Sequence, residues 1–178
     1  ILSVKDVEVN NKVQRRLIDG TTSHGTQSLE KGNEKTPLSY YRKNTGVALA
    51  LEQLTKQRRQ EGSVQNINAG FVGLGAGTLA AYGNKTDHYI FYELNPAVIF
   101  AANNYFSYLK DSAANIEVVL GDGRVSLTQQ FEHSGSQQFD ALVIDAFSGD
   151  SIPQHLLTKE ALLLYFKHLK KDGVLAIH

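Results

Sequence analysis

The chain has 178 residues, enough for one domain with a small appendage and a sizeable buried core. Apolar residues make up 42%, and 18 Lys and Arg balance 18 Asp and Glu, so the broad positive field that attracts nucleic acid or anionic lipid is missing. No cysteine is present, which excludes disulfides, thiolate metal sites and a cysteine nucleophile.

No stretch reaches the roughly 18 unbroken apolar residues of a membrane span, and no signal peptide is visible. The chain starts at Ile1, contains no methionine and stops at His178, directly after the apolar run Val174-Leu175-Ala176-Ile177. It reads as a piece of a longer protein.

Residues 1–42 alternate short β-like stretches with turn residues. Val7-Glu8-Val9 precedes Asn10-Asn11, Gln14 to Ile18 precedes Asp19-Gly20, and Thr26 to Leu29 supplies a third stretch. This predicts a small antiparallel β appendage. Residues 43–178 follow another rhythm. Val47, Leu51 and Leu54 recur at helical spacing between Thr45 and Gln60, with the helix ending near Gly62. The run Lys56-Gln57-Arg58-Arg59 places positive charge beside the open carbonyls of its last turn.

From residue 66, five short apolar runs alternate with helical patterns: Ala69 to Val72, Tyr89 to Tyr92, Ile116 to Leu120, Ala141 to Ile144, and a last one opened by Gly173. Between them lie a short helix after Gly77, a helix from Pro96 to about Leu109, one from Arg124 to Phe131, and a stripe of Ala161, Leu162, Tyr165, Phe166 and Leu169. Runs of this kind mean βαβ units and a parallel sheet covered on both faces. Right-handed crossovers then give a doubly wound, Rossmann-like α/β domain.

Four of the five runs end in glycine or a carboxylate. Ligands of open α/β sheets bind at that carboxyl edge, where the strand order reverses, so Gly73, Glu93, Asp122 and Asp145 are expected to converge on one crevice. Gly73-Leu74-Gly75-Ala76-Gly77 lets the backbone turn tightly and approach a ligand. Its third glycine comes one residue too early for the dinucleotide pattern, which disfavours a pyrophosphate cradle. Glu93, followed by Leu94, lies 20 residues after Gly73 and suits the two ribose hydroxyls of a nucleoside. Asp122, with Gly123, could accept from the exocyclic amine of adenine, or simply cap a helix. Asp145 could orient or deprotonate an attacking amine, and Asp150 could neutralise a cationic substrate. The six histidines show no metal-ligand spacing, so no metal is expected. Tyr105 and Tyr108 are expected on the helix after Glu93 without a chemical role.

Gly73-x-Gly75-x-Gly77, Glu93, Gly121-Asp122-Gly123 and Asp145 stand in the order found in spermidine synthases, and more broadly resemble class I methyltransferase-like folds. Upstream, Leu17-Ile18-Asp19-Gly20 and Tyr40-Tyr41 resemble the β appendage and gate tyrosine of aminopropyltransferases. The loop from Asp145 through Phe147-Ser148-Gly149-Asp150-Ser151-Ile152-Pro153 to Leu157 resembles a bacterial spermidine synthase-like branch, some members of which are fused to membrane transporter-like segments. The resemblance implies aminopropyl transfer from decarboxylated S-adenosylmethionine to a polyamine such as putrescine. Glu93 would hold the ribose, Asp122 the adenine, Asp145 would face the amine, and Tyr40 would touch substrate at the gate. It also implies further strands after His178, a homodimer, and a cytoplasmic location or a place as the soluble domain of a membrane-linked protein.

Three positions depart from the family. Ala76 replaces the aspartate that grips the aminopropyl nitrogen, Asp150 follows Asp145 by five residues instead of three, and Arg42 replaces a glutamate after the gate tyrosine. Two other readings therefore stand beside the first: a methyltransferase using intact S-adenosylmethionine on another acceptor, and a non-catalytic nucleoside-binding domain.

Overall fold

Two consecutive asparagines in left-handed conformation, Asn10 (φ 53°) and Asn11 (φ 60°), turn the chain between its first two strands. The computed structural model, which describes residues 1–60, 66–147 and 151–178, opens with β1 (Leu2–Val9), β2 (Lys12–Asp19) and β3 (Thr22–Ser28) as one antiparallel sheet in that order. The third strand begins at Thr22, ahead of the expected Thr26, because Gly20 (φ 61°) turns the chain at once and pairs Asp19 with Thr22. A single turn of 3-10 helix, Ser39–Tyr41, then leads into helix α1 (Gly46–Gln60), whose Val47, Leu51 and Leu54 are buried as their spacing predicts. Gly62, the expected end of that helix, lies outside the described residues.

The second sheet holds β4 (Asn68–Val72), β5 (His88–Glu93), β6 (Asn115–Leu120), β7 (Phe139–Ile144) and β8 (Leu169–Ile177). Its order is β6-β5-β4-β7-β8, and every neighbouring pair is parallel. The chain steps outward from β4 to β6, then returns to the other side of β4 to lay down β7. That reversal leaves a crevice beyond the carboxyl ends of β4 and β7. A doubly wound α/β sheet with an antiparallel appendage is thus the architecture that the apolar runs predict.

Alternate residues of the central strands feed two cores. Phe71, Tyr89, Phe91 and Val143 pack with α1 and with helix α2 (Pro96–Tyr105), and the Phe71 and Phe91 rings stack at 4.6 Å. Val72, Ile90, Tyr92, Leu142 and Ile144 pack on the opposite face, beneath α4 (Gly123–Ser134) and α5 (Lys159–His168). Each large side chain withdrawn from water in this way contributes about 1.5–3 kcal/mol.

Two further boundaries differ from expectation, each for a tertiary reason. The helix from Pro96 stops at Tyr105, and a short α3 (Tyr108–Asp111) follows. Gln27 on β3 interrupts it: its side chain accepts from the Ser107 N–H (3.1 Å) and donates to the Ser107 hydroxyl (2.8 Å). Tyr108 is buried and donates to the carbonyls of Thr26 and Thr36, so it is a strut between the two sheets, whereas Tyr105 is half exposed. The last strand starts at Leu169 instead of Gly173. A register shift between Phe139 and Ala141 accommodates the extra residues, and Lys170 reaches the fully buried Asp140 at 2.9 and 3.0 Å.

His168 ends α5 fully buried. Its Nδ1 accepts from the Gln137 N–H (3.1 Å), so Nε2 carries the proton and donates to the Leu127 carbonyl (2.9 Å). Burial pushes its pKa below the ordinary histidine value, although the Leu127 carbonyl opposes the shift. Below about pH 6.5 the unfolded chain binds a proton that the fold refuses, so this residue withdraws stability as the pH falls toward its folded pKa. The stability advantage of wild type over His168→Gln is therefore expected to shrink between about pH 7.5 and about pH 5.5, as read by urea unfolding.

Candidate active site

The loop after β4 is held by its backbone. Gly73 donates to the Tyr92 carbonyl (2.8 Å), and Ala76 donates to the His24 carbonyl on β3 (3.1 Å). Gly73 has φ 107° and lies so close to the Asp145 carbonyl that a Cβ would collide with it; at Gly75 (φ 53°) a Cβ would collide with the His24 carbonyl. Only glycine allows this contact between the ends of β4 and β7 and the edge of the appendage. Gly77 shapes the turn and packs against Leu109, away from the crevice.

Around this loop opens a cavity of about 500 Å³, in the usual range for a small-molecule site. Gly73, Gly75, Glu93, Leu94, Asp122, Gly123, Asp145 and Tyr40 all line it, together with Asp19, His24, Tyr41, His155 and His178. The four strand-end positions singled out from the sequence therefore do meet at one rim. Ser148, Gly149 and Asp150 lie outside the described residues.

Each carboxylate at the rim is held differently. Glu93 bridges two backbone donors, Leu74 N–H at 3.1 Å and Asn95 N–H at 2.8 Å, which ties the end of β5 to the glycine loop. Asp122 caps α4 by accepting from the Val125 N–H (3.0 Å), while its other oxygen meets His155 Nε2 at 2.8 Å. The cap considered from sequence is thus present, and Asp122 still lines the crevice. Burial would raise the Asp122 pKa, but the Val125 N–H and His155 outweigh it and hold the carboxyl below its ordinary value.

Asp145 has a side chain only 5% exposed, and each of its oxygens already has a partner. Tyr41 donates its hydroxyl to Oδ2 at 2.7 Å, and His178 Nδ1 lies 2.8 Å from Oδ1. Burial, reinforced by the adjacent Asp145 charge, raises the Tyr41 pKa far above its ordinary value, so that hydroxyl stays a donor. The hydroxyl beside Asp145 is thus Tyr41's and not Tyr40's. Tyr40 is 60% exposed at the mouth, with its ring 5.9 Å from that of His178.

Sequence reasoning missed His178, His155 and the role of Tyr41. The strand-end rule that selected Glu93 and Asp145 selects His178 too, since it follows Ile177 at the end of the fifth run. Ala76 is 1% exposed, packs in the core and does not line the crevice, so the glycine loop brings no carboxylate there.

The fold is that of the spermidine synthase-like and class I methyltransferase proteins. It matches the crystal structure of a probable spermidine synthase from Corynebacterium glutamicum with a TM-score of 0.62 at 15% identity, over 98% of this chain and 63% of that one. It also matches human methyltransferase-like protein 13, crystallised in complex with SAH, with a TM-score of 0.59 at 17% identity, over 71% of this chain and 60% of that one.

In sequence, 109 residues are 33% identical to a polyamine aminopropyltransferase of Vibrio vulnificus, covering 58% of this chain and 34% of that protein. Another alignment of 115 residues is 32% identical to an N-terminal histidine N-methyltransferase of Emericella nidulans, covering 62% of this chain and 19% of that protein. The matched stretches thus span about a third or less of these curated relatives. No protein-family model matches the chain.

Tyr41→Phe leaves a buried carboxylate oxygen without its donor and is expected to cost about 1–3 kcal/mol of stability. Tyr40→Phe, at an exposed ring, is expected to stay within about 0.5 kcal/mol of wild type. Chemical denaturation of the two variants measures the contrast.

Proposed function

We propose that this chain binds the nucleoside of an S-adenosyl sulfonium donor and transfers an alkyl group from it to an amine. The observation that carries the reading is the convergence of Glu93, Asp122, Asp145 and the glycine loop on a single crevice where the strand order reverses. Glu93 would accept from the ribose hydroxyls, Asp122 from the adenine amine, and the bare backbone at Gly73 and Gly75 would let the nucleoside sit close to the sheet. The cavity is large enough for an adenosine with its sulfonium arm. The Asp145 cluster lies on the far side of the glycine loop from Glu93 along the sheet edge, beside β7, where the acceptor would enter.

Aminopropyl transfer from decarboxylated S-adenosylmethionine to a polyamine such as putrescine is the reading we favour. The likeness to the probable spermidine synthase extends through the antiparallel appendage, whereas that to methyltransferase-like protein 13 covers a smaller share of the chain. One observation supports methyl transfer from intact S-adenosylmethionine instead: no carboxylate from the glycine loop enters the crevice to grip a cationic aminopropyl arm.

Calorimetry with the two donors and with methylthioadenosine, followed by product analysis with putrescine, separates these. Tighter binding of the decarboxylated donor with spermidine formed supports the first; tighter binding of intact S-adenosylmethionine without spermidine supports the second. In either case Glu93→Ala is expected to weaken nucleoside binding by about 1–3 kcal/mol, roughly 5- to 150-fold. Asp145→Asn should lower turnover by roughly 10²-fold or more and leave nucleoside affinity nearly unchanged.

A further inference from the structure

The geometry points to His178 as the group that takes the proton from the attacking amine, with Asp145 as the residue that positions it; this rests on the transferase reading above. A base must meet the substrate, and Asp145 is poorly placed to do so. Its side chain is 5% exposed and both oxygens are engaged, whereas the His178 side chain is 34% exposed and lines the same crevice.

The tautomer follows from the contacts. Asp145 is an acceptor, so His178 Nδ1 carries the hydrogen, and Nε2 is left with its lone pair. Among the described residues no hydrogen-bond partner stands at that Nε2. The rings of Tyr40, Tyr41 and Phe147 surround the imidazole at centroid distances of 5.9, 6.1 and 5.7 Å and fix its plane. The hydrogen bond to Asp145 also raises the imidazole pKa, burial opposing it, which makes Nε2 a stronger base. Tyr40, Tyr41 and Asp145 are the titratable groups against it; Asp19, His24, Glu93, Asp122 and His155 line the rest of the crevice.

The step balances. The substrate ammonium gives one proton to Nε2, forming the imidazolium. The freed nitrogen pair forms a bond to the carbon attached to the sulfonium, and the carbon–sulfur pair leaves on sulfur as a neutral thioether. The product nitrogen takes up the positive charge, and the imidazolium returns its proton to water.

Two measurements on the whole protein test this. In nitrogen-15 NMR of the imidazole, wild type should show the Nδ1–H tautomer of His178 with a pKa above the ordinary value, falling in Asp145→Asn. In kinetics, His178→Gln should keep wild-type affinity for methylthioadenosine, lose roughly 10²–10⁴ in kcat, and lose the acid limb of the kcat/KM profile. Added imidazole should restore part of the rate of His178→Ala. An Nε2–H tautomer, or a glutamine variant that keeps both its rate and its acid limb, overturns the proposal while the transferase reading stands. Failure of wild type to bind methylthioadenosine overturns both.

Discussion

The arrangement depends on how closely three backbone segments approach one another at the centre of the sheet. The turn after β4 rests on the carbonyl of Asp145 on one side and on that of His24 on the other, and no side chain could stand between them. At a reversal of strand order the connections leave neighbouring strands toward opposite sides of the sheet, so an open slot is the default there. The glycines keep its floor low, the Glu93 bridge to the Leu74 amide keeps it rigid, and β3 closes one wall. The appendage is therefore part of the crevice, contributing Asp19, His24 and the turn that carries Tyr40 and Tyr41.

The charges in the slot follow the same economy. Three carboxylates at the strand ends are matched before any ligand arrives: Glu93 by two amides, Asp122 by a helix start and an imidazole, Asp145 by a phenol and an imidazole. Such matching holds these three carboxylates in fixed directions through amide, phenol and imidazole donors. Fixed dipoles and charges of this kind suit the charge-shifting transfer proposed for this crevice.

Most of the fold was legible because the central strands are buried on both faces and so read as unbroken apolar runs, and a carboxylate next to such a run marks the strand's end. Glu93, Asp122 and Asp145, which line the crevice, carry this mark. The misplacements share a cause. The helix from Pro96 carries no local stop signal at Tyr105; the stop comes from Gln27, far away in sequence. The start of β8 was hidden because Leu169 closes a helical stripe, and only the pairing with Phe139 shows it to be strand. His178 stands at the end of the fifth run as a base, where the other strand ends carry acids or glycine, so it lacks their mark. His155 meets Asp122 only through the folded loop, and no spacing announces it.

Gly25 on β3 has consequences for any attempt to redesign the chemistry. A Cβ at Gly25 would stand 2.5 Å from the Ala76 methyl, and Ala76 itself sits within the core. Any larger side chain at position 76 would have to grow from a methyl that is already buried against β3. The seam between the glycine loop and the appendage is thus set jointly by two segments about fifty residues apart, so that a change of size in one constrains the other.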